Sequence, residues 1–252
     1  MSPNEPSTEA MIAGLLAAID GARAELDRKP PLGRTEMEAI QEEFTVRSTY
    51  NSNAIEGNSL TLDETALVLK GQTIAGKPLK DHQEATGHRD AYNYLLEKLG
   101  EGAALTEQLV KDLHFYVLLN NTMERGNYRT NNVRIVGSAI KMPYHEEVPD
   151  LMTSLIEDIA TSKLHPVEKA AVFHLDFERV HPFIDGNGRT GRLMMNMMLM
   201  QGGYLPMDIK FAKRQSYYRA LASFETTHSH DEIVALVAEY ELEELKERLR
   251  SC

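Results

Sequence analysis

Apolar side chains recur every three or four positions over most of the chain, a spacing that predicts a mainly helical protein. Glycine, proline and capping residues interrupt this pattern and separate one helix from the next. At one such break, Thr61 and Glu64 have the spacing of a capping box. We place helices over residues 11–28, 36–56, 61–71, 80–99, 105–119, 148–161, 166–180, 188–201, 211–226 and 231–250.

Two segments depart from the amphipathic pattern. Residues 126–143, GNYRTNNVRIVGSAIKMP, place β-branched side chains between Asn- and Gly-rich turns, which predicts a small β-hairpin. Residues 193–200 are apolar almost all round, which is typical of a helix surrounded by other helices. The pattern therefore predicts a mainly α fold, a helical bundle around a buried central helix, with a hairpin attached.

This pattern also suggests how the chain is divided. We distinguish an N-terminal helical region (1–100), a core (101–226) and a C-terminal helix (227–252). No internal repeat or low-complexity tract interrupts them.

The amino-acid composition limits which kinds of partner the protein can bind. With 252 residues, of which 42% are hydrophobic, the chain can bury a sizeable core, and its formal charge of −11 argues against a broad nucleic-acid surface. No uninterrupted apolar run approaches the length of a membrane span. Cys252 is the only cysteine, which excludes disulfides within the chain and a cysteine-rich zinc site. We expect a cytoplasmic protein that binds neither nucleic acid nor membrane.

The segment HPFIDGNGRTGR, residues 181–192, places the elements of phosphate chemistry where the central helix begins. Pro182 disfavours helical angles at His181, so the imidazole is expected on a loop, where it suits a general base. Gly186 and Gly188 allow backbone N–H groups to converge at the helix N-terminus, which is a binding site for anions. The sequence thus predicts a base beside an anion site.

Three charged side chains complete this candidate site. Arg189 and Arg192 are three residues apart on one helix face and are suited to hold the outer phosphates of a nucleotide. Asp185 supplies the single carboxylate that is typical of a magnesium site beside phosphates. Each residue alone has an ordinary explanation, such as a turn or a solvated helix face, but their combination within one short segment favours phosphate transfer.

A dinucleotide-binding site is the weaker alternative. GNGRTG fits the pattern G-x-G-x-x-G, and Asp208 follows at a suitable distance. That pattern requires a preceding strand, whereas residues 166–180 are predicted to be helical. The Walker pattern and the zinc pattern H-E-x-x-H are absent.

The same segment resembles the signature of the Fic family, H-x-F-x-[DE]-G-N-G-R-x-x-R, at every specified position. The resemblance covers most of residues 36–226, because residues 126–143 are similar to the family's flap and residues 166–180 to the helix before the signature. It implies a Fic-type helical bundle whose flap covers the site. It also implies transfer of AMP from ATP, with Mg²⁺, to a hydroxyl of a protein that docks on the flap.

The resemblance implies a role for each residue of the site. His181 is expected to be the base and Asp185 the magnesium ligand. Gly188 stands where the Doc-type branch carries lysine, which favours AMP transfer over phosphate transfer. The expected ATP-binding residues are Gly186, Asn187, Gly188, Arg189, Thr190, Gly191 and Arg192 of the signature, Val136, Gly137, Ser138 and Ala139 of the flap, and the pair Tyr217 and Tyr218.

A second resemblance lies upstream, in SNAIEG, residues 52–57, which is similar to the inhibitory pattern [ST]-x-x-x-E-[GN] of Fic proteins that restrain themselves. Glu56 falls at the end of a predicted helix, where a carboxylate opposes the helix dipole and is either hydrated or paired with a cation. The resemblance implies that Glu56, supported by Ser52 and Gly57, pairs with Arg192 of the same chain and excludes ATP from its reactive pose.

Several alternatives stay open at this point. Glu56 could instead orient a water that removes AMP from a modified protein, the transferred group could be UMP, phosphate or phosphocholine, or the chain could be a non-catalytic nucleotide-binding module. Glu225 stands where relatives often carry an asparagine near the adenosine, so the purine contact is undefined. The sequence does not determine the target, which can include this chain itself, the oligomeric state or the signal that relieves inhibition.

Overall fold

The computed structural model of the protein describes residues 7–134 and 142–251, and every regular element in these two ranges is helical. Two short 3-10 turns, His145–Glu147 and Phe211–Lys213, precede the sixth and ninth α-helices. The α-helices are α1 (Thr8–Leu26), α2 (Arg34–Ile55), α3 (Leu62–Leu69), α4 (Leu79–Gly100), α5 (Glu107–Val117), α6 (Val148–Thr161), α7 (Pro166–Val180), α8 (Asn187–Gln201), α9 (Arg214–Thr227) and α10 (Asp231–Ser251). The predicted mainly α class is therefore confirmed.

Local capping explains several helix boundaries. At the start of α3, the backbone N–H of Thr61 donates to the Glu64 carboxylate at 2.8 Å, and the N–H of Glu64 donates to the Thr61 hydroxyl at 3.2 Å. This is the capping box that the sequence predicts. Gly57 and Gly71, which follow α2 and α3, have φ angles of 90° and 86°, a conformation that favours glycine.

Helix α8 forms the buried centre of the bundle. It packs against α7, α4 and α5, and its apolar side chains from residue 193 to 199 belong to a core that extends from α1 to α10. A Cβ atom on Gly191 would lie 2.8 Å from Nδ1 of His174, so the two helices α7 and α8 approach closely at this glycine. No helix in the described ranges is long and apolar enough to cross a membrane.

The predicted hairpin, residues 126–143, lies partly outside the described residues. Its described parts, 126–134 and 142–143, form neither helix nor strand. Val136, Gly137, Ser138 and Ala139 belong to the segment 135–141, which is not described. The hairpin therefore stays a prediction.

Helix α2 is anchored to the rest of the bundle by a buried ionic cluster. Nε of Arg47 lies 2.8 Å from Oδ1 of Asp208, and Nη2 of Arg47 lies 2.7 Å from Oε1 of Glu244 on α10. Asn51 donates to Asp208 and accepts the backbone N–H of Phe211 at 2.9 Å. These contacts direct the C-terminal end of α2 toward the first turn of α8.

Candidate active site at the start of helix α8

The loop between α7 and α8 carries three of the predicted site residues, His181, Asp185 and Gly186. Helix α7 ends at His181, which adopts the left-handed conformation with φ 49°. Asn187 holds the loop in both directions, since its Oδ1 accepts the N–H of Phe183 and its Nδ2 donates to the carbonyl of Phe183, both at 2.9 Å. The Asn187 side chain is thus engaged by the loop, and Phe183 is fully buried as its anchor.

The protonation pattern of His181 follows from its hydrogen bond. Nδ1 of His181 lies 3.3 Å from the backbone carbonyl oxygen of Glu178. Because a carbonyl only accepts, Nδ1 carries the proton and Nε2 keeps its lone pair. Burial lowers the pKa of His181 below its ordinary value, although this hydrogen bond opposes the shift. At neutral pH, His181 is therefore an uncharged base with Nε2 available.

Asp185 is held by the first turn of α8. Its Oδ1 accepts the N–H of Gly186 at 2.6 Å and lies 3.1 Å from Nη2 of Arg189, while about half of its side chain is exposed. Arg189 itself is 1% exposed, and its Nη1 lies 3.2 Å from Oε1 of Glu84 on α4. The guanidinium lies between two carboxylates and orients Asp185, and it is closed off from the surface.

Arg192 is brought together with the upstream inhibitory motif. Its Nη2 lies 2.8 Å from Oε1 of Glu56 and donates to the carbonyl of Ser52 at 2.8 Å, while its Nε donates to the Ser52 hydroxyl at 3.1 Å. A Cβ atom on Gly188 would overlap Oε1 of Glu56 and lie 2.9 Å from Nη1 of Arg192. The Glu56 carboxylate therefore occupies the N-terminal end of α8, where the helix dipole favours an anion.

The tyrosine pair on α9 lies beside this ion pair. Tyr217 is buried, and its hydroxyl lies 3.3 Å from Nη1 of Arg192 and 2.8 Å from Nε2 of His174. The hydroxyl of Tyr218 donates to the carbonyl of Ile55, the last residue of α2, at 2.7 Å. Tyr218 thus connects α9 to the helix that carries Glu56.

The other predicted residues lie around the first turn of α8. Gly186 has φ 78°, and Thr190 is fully buried. Gly191 faces α7, as described above. Glu225 lies on α9 with Oε1 at 3.8 Å from Nε of Arg179, and its side chain is 40% exposed.

Two residues that position the site lie outside the signature motif. Arg129 is 2% exposed, and its Nε donates to the carbonyl of His181 at 2.8 Å while its Nη2 donates to the carbonyl of Pro143 at 2.8 Å. Nδ1 of His114 accepts the N–H of Gly126 at 3.0 Å, so Nε2 carries the proton and donates to the carbonyl of Asp185 at 3.0 Å. Burial lowers the pKa of His114 to about 4, which keeps it neutral. Sequence offers no local signal for either contact.

The donor set has the character of a nucleotide-dependent metal site. No group of three or more His, Cys, Asp or Glu side chains in the described ranges is arranged to hold a metal ion. Asp185 is partly exposed at the anion-binding end of α8. One carboxylate fits Mg²⁺, because this ion usually keeps several waters and takes further ligands from substrate phosphates.

The geometry of these residues defines the class of site. A neutral loop histidine, a partly exposed carboxylate and a helix N-terminus with a buried arginine are suited to transfer of a phosphorus-containing group. The segment before the motif is α7 rather than a strand, which excludes the dinucleotide-binding arrangement.

Comparison with known proteins identifies the family. Residues 104–199 match the model of the Fic/DOC family. The protein adenylyltransferase Fic of Nematostella vectensis is 34% identical over 223 residues, which cover 86% of this chain and 51% of that protein. The chain belongs to the Fic family, and it spans about half the length of the curated relatives that it matches.

Solved structures share the fold. Fic-1 from C. elegans superposes with a TM-score of 0.87 at 26% identity, covering 96% of this chain and 73% of that one. A Fic domain containing signaling protein from Bacteroides thetaiotaomicron gives 0.79 at 27% identity, covering 95% of this chain and 96% of that one.

Proposed function

We propose that the protein is a protein adenylyltransferase that moves AMP from Mg-ATP to a protein hydroxyl, and that Glu56 inhibits it from within the same chain. The observation that carries this proposal is the first turn of α8, where an uncharged His181 and a partly exposed Asp185 lie beside an anion site that the Glu56 carboxylate fills. The relatives named protein adenylyltransferase Fic support the same reaction.

His181 would act as the base through Nε2. The target oxygen attacks the α-phosphorus, its proton passes to Nε2, and the bond to the pyrophosphate oxygen breaks with its electron pair on the leaving group. The N–H groups of the first turn of α8 stabilise the negative charge that develops there. A magnesium ion bound by Asp185 would neutralise phosphate charge. Residues 126–143 would dock the target as an extended segment.

Inhibition follows from competition for one anion site. Glu56 pairs with Arg192 at 2.8 Å and lies above Gly188, where outer phosphates would need the same guanidinium and the same helix end. Two anions cannot share that position without strong repulsion. Nucleotide would therefore bind in its reactive pose only after Glu56 withdraws.

The decisive experiment compares the wild-type protein with Glu56→Gly, each incubated with Mg-ATP and followed by intact mass spectrometry and by label from α-labelled ATP. We expect Glu56→Gly to incorporate AMP at least about tenfold faster, because removing the carboxylate ends the competition for Arg192, and a tenfold change in occupancy corresponds to only about 1.4 kcal/mol. Adding His181→Ala should abolish incorporation.

A matched control keeps the helix the same. Glu42→Gly also replaces an exposed glutamate by glycine, but within α2 and far from its C-terminal end, and should leave incorporation at the wild-type level. Equal incorporation by wild type and Glu56→Gly would contradict inhibition. ATP binding by Glu56→Gly without any mass increase on itself or on added lysate proteins would contradict the transfer reaction.

The position of Glu56 also favours a second candidate, removal of AMP from a modified protein. Its carboxylate reaches the site itself, where it could orient a water for attack at phosphorus. Incubation of AMP-modified target with wild type and with Glu56→Gly distinguishes the two, because hydrolysis would require Glu56 whereas synthesis would be relieved by its loss.

A further inference from the structure

Glu178 is a buried acid next to the proposed base that the motif does not include. It lies in the last turn of α7, three residues before His181, and its Oε2 is 3.8 Å from Nδ1 of His181. Its other oxygen, Oε1, is inaccessible and has no hydrogen-bond partner within residues 7–134 and 142–251. An unpartnered carboxyl oxygen at this depth calls for a function or a compensating proton.

Glu178 lies among charged groups from three other helices. Glu56 of α2, Arg192 of α8 and Tyr217 of α9 interact with it electrostatically, and His181 adjoins it on the loop after its own helix. Burial, followed by the negative charge of Glu56, raises the pKa of Glu178 to about 8, although Arg192 opposes the shift. With Glu56 in place, Glu178 is therefore largely neutral at pH 7.

His181 has its own set of neighbours. Beside Glu178, the charged groups near it in the described part of the chain are Arg129, Glu56 and Asp185. The positive charge of Arg129 disfavours protonation of the imidazole, whereas the carboxylates of Glu56 and Asp185 favour it. Glu178 is the acid that faces Nδ1, the nitrogen opposite the one that takes a proton in the reaction.

We propose that Glu178 positions His181 for catalysis: in the active state the Glu178 carboxyl group accepts the Nδ1–H hydrogen bond and supports the positive charge that the imidazole gains. This inference rests on the proposed function of the site. The proton of the target hydroxyl goes to Nε2, Nδ1 keeps its own proton, and Glu178 receives none.

The physical reason is that two carboxyl groups share one buried arginine. While Glu56 is paired with Arg192, a second negative charge on Glu178 is repelled. Without Glu56, and before nucleotide phosphates take its place at Arg192, the pKa of Glu178 falls, although burial, the largest cause of its rise, remains. A carboxylate that bonds the far nitrogen of an imidazole fixes its tautomer and stabilises the imidazolium.

The test compares Glu56→Gly with Glu56→Gly/Glu178→Gln in AMP incorporation across pH. Glutamine keeps the shape of the side chain but cannot carry the charge. We expect kcat to fall by about tenfold, KM for ATP to change by less than about twofold, and the rising limb of kcat/KM to move to lower pH, because losing one carboxylate lowers the pKa of an adjacent imidazole. Glu178→Asp should restore part of kcat. Glu157→Gln, on the exposed face of α6, is the control and should change neither value.

A second readout does not depend on transfer. In ¹⁵N-histidine NMR of Glu56→Gly without nucleotide, with His181 assigned by its loss in His181→Ala, we expect the Nδ1–H tautomer and a His181 pKa that falls on Glu178→Gln. No change in that pKa, or equal losses in kcat and ATP affinity, would overturn the proposal. Absence of AMP transfer with the NMR shift present would instead count against the proposed function alone.

Discussion

At Gly188 the missing side chain decides whether Glu56 can reach the start of α8. A Cβ atom there would overlap the Glu56 carboxylate and lie close to Nη1 of Arg192. The sequence predicts a different role for Gly188, as part of an anion-binding turn. The structure adds that the same glycine admits the carboxylate that fills the turn.

This residue gives a prediction about stability. Gly188→Ala should destabilise the wild-type protein by about 1–3 kcal/mol, because the new methyl group displaces the Glu56 carboxylate from a buried arginine. In Glu56→Gly the same change should cost less, since the overlap with the carboxylate is gone and the remaining close contact is with Nη1 of Arg192 alone. Urea denaturation of the four proteins measures the difference.

Gly14→Ala serves as the control for that cycle. A Cβ atom at Gly14 in α1 meets nothing within 4 Å, so its effect should be the same in both backgrounds. If Gly188→Ala lowers the free energy of unfolding by the same amount with and without Glu56, the overlap with the Glu56 carboxylate is not what makes a side chain unfavourable at this position.

Residue chemistry could be predicted where it is local and could not where it depends on distant partners. Pro182 and Gly186 set the backbone around His181 from adjacent positions, so the sequence indicates the base and the anion site. Arg129 meets the same loop only because the chain folds back over it. No periodicity or motif connects residues so far apart in sequence.

Helix α2 shows the same division at the scale of an element. Its periodicity predicts its length to within two residues at each end. Its direction depends on Arg47, Asp208 and Glu244, which meet only in the folded bundle. The last contact at its C-terminal end is the hydrogen bond from Tyr218 to Ile55, at 2.7 Å.

Loosening this end of α2 should raise activity slightly. Tyr218→Phe keeps the ring but removes the hydroxyl that holds the Ile55 carbonyl. We expect AMP incorporation to rise by up to about fivefold in otherwise wild-type protein, because one such bond contributes about 1 kcal/mol. In Glu56→Gly the substitution should have no effect on incorporation.

The comparison of the two backgrounds also tests the nucleotide role that the resemblance implies for Tyr218. A loss of activity of the same size with and without Glu56 would assign the hydroxyl to ATP rather than to α2. The ring remains in Phe, so stacking against a base would be retained in either case.

Across the whole molecule, buried carboxyl groups make stability depend on pH. Glu241 on α10 is inaccessible, and its Oε1 accepts the N–H of Leu205 at 3.0 Å. Burial raises the pKa of Glu241 from 4.5 to about 8, although this hydrogen bond opposes the shift. The folded protein therefore holds a proton that the unfolded chain releases above about pH 4.5.

The sign of the effect follows from that proton. The stabilisation that Glu241 provides is fully present below about pH 4.5. As the pH rises toward 8, the free energy of unfolding falls by up to about 1.4 kcal/mol per pH unit. Glu241→Gln should flatten this slope and make the protein more stable than wild type at pH 8. Denaturant unfolding between pH 5 and 8 measures it, with exposed Glu239→Gln as a control that leaves the slope unchanged.

The sequence alone determined the helical class, the succession of helices, the buried central helix and the chemistry of residues 181–192, because periodicity, capping and backbone preference are local properties. Only the tertiary structure decided that Arg189 is enclosed by acids and that Glu178 faces His181, whereas the contact between Glu56 and Arg192 is one that the family resemblance already implies. These contacts join side chains on different helices or across a helix end. Their existence depends on how buried surfaces pack, which local preference does not encode.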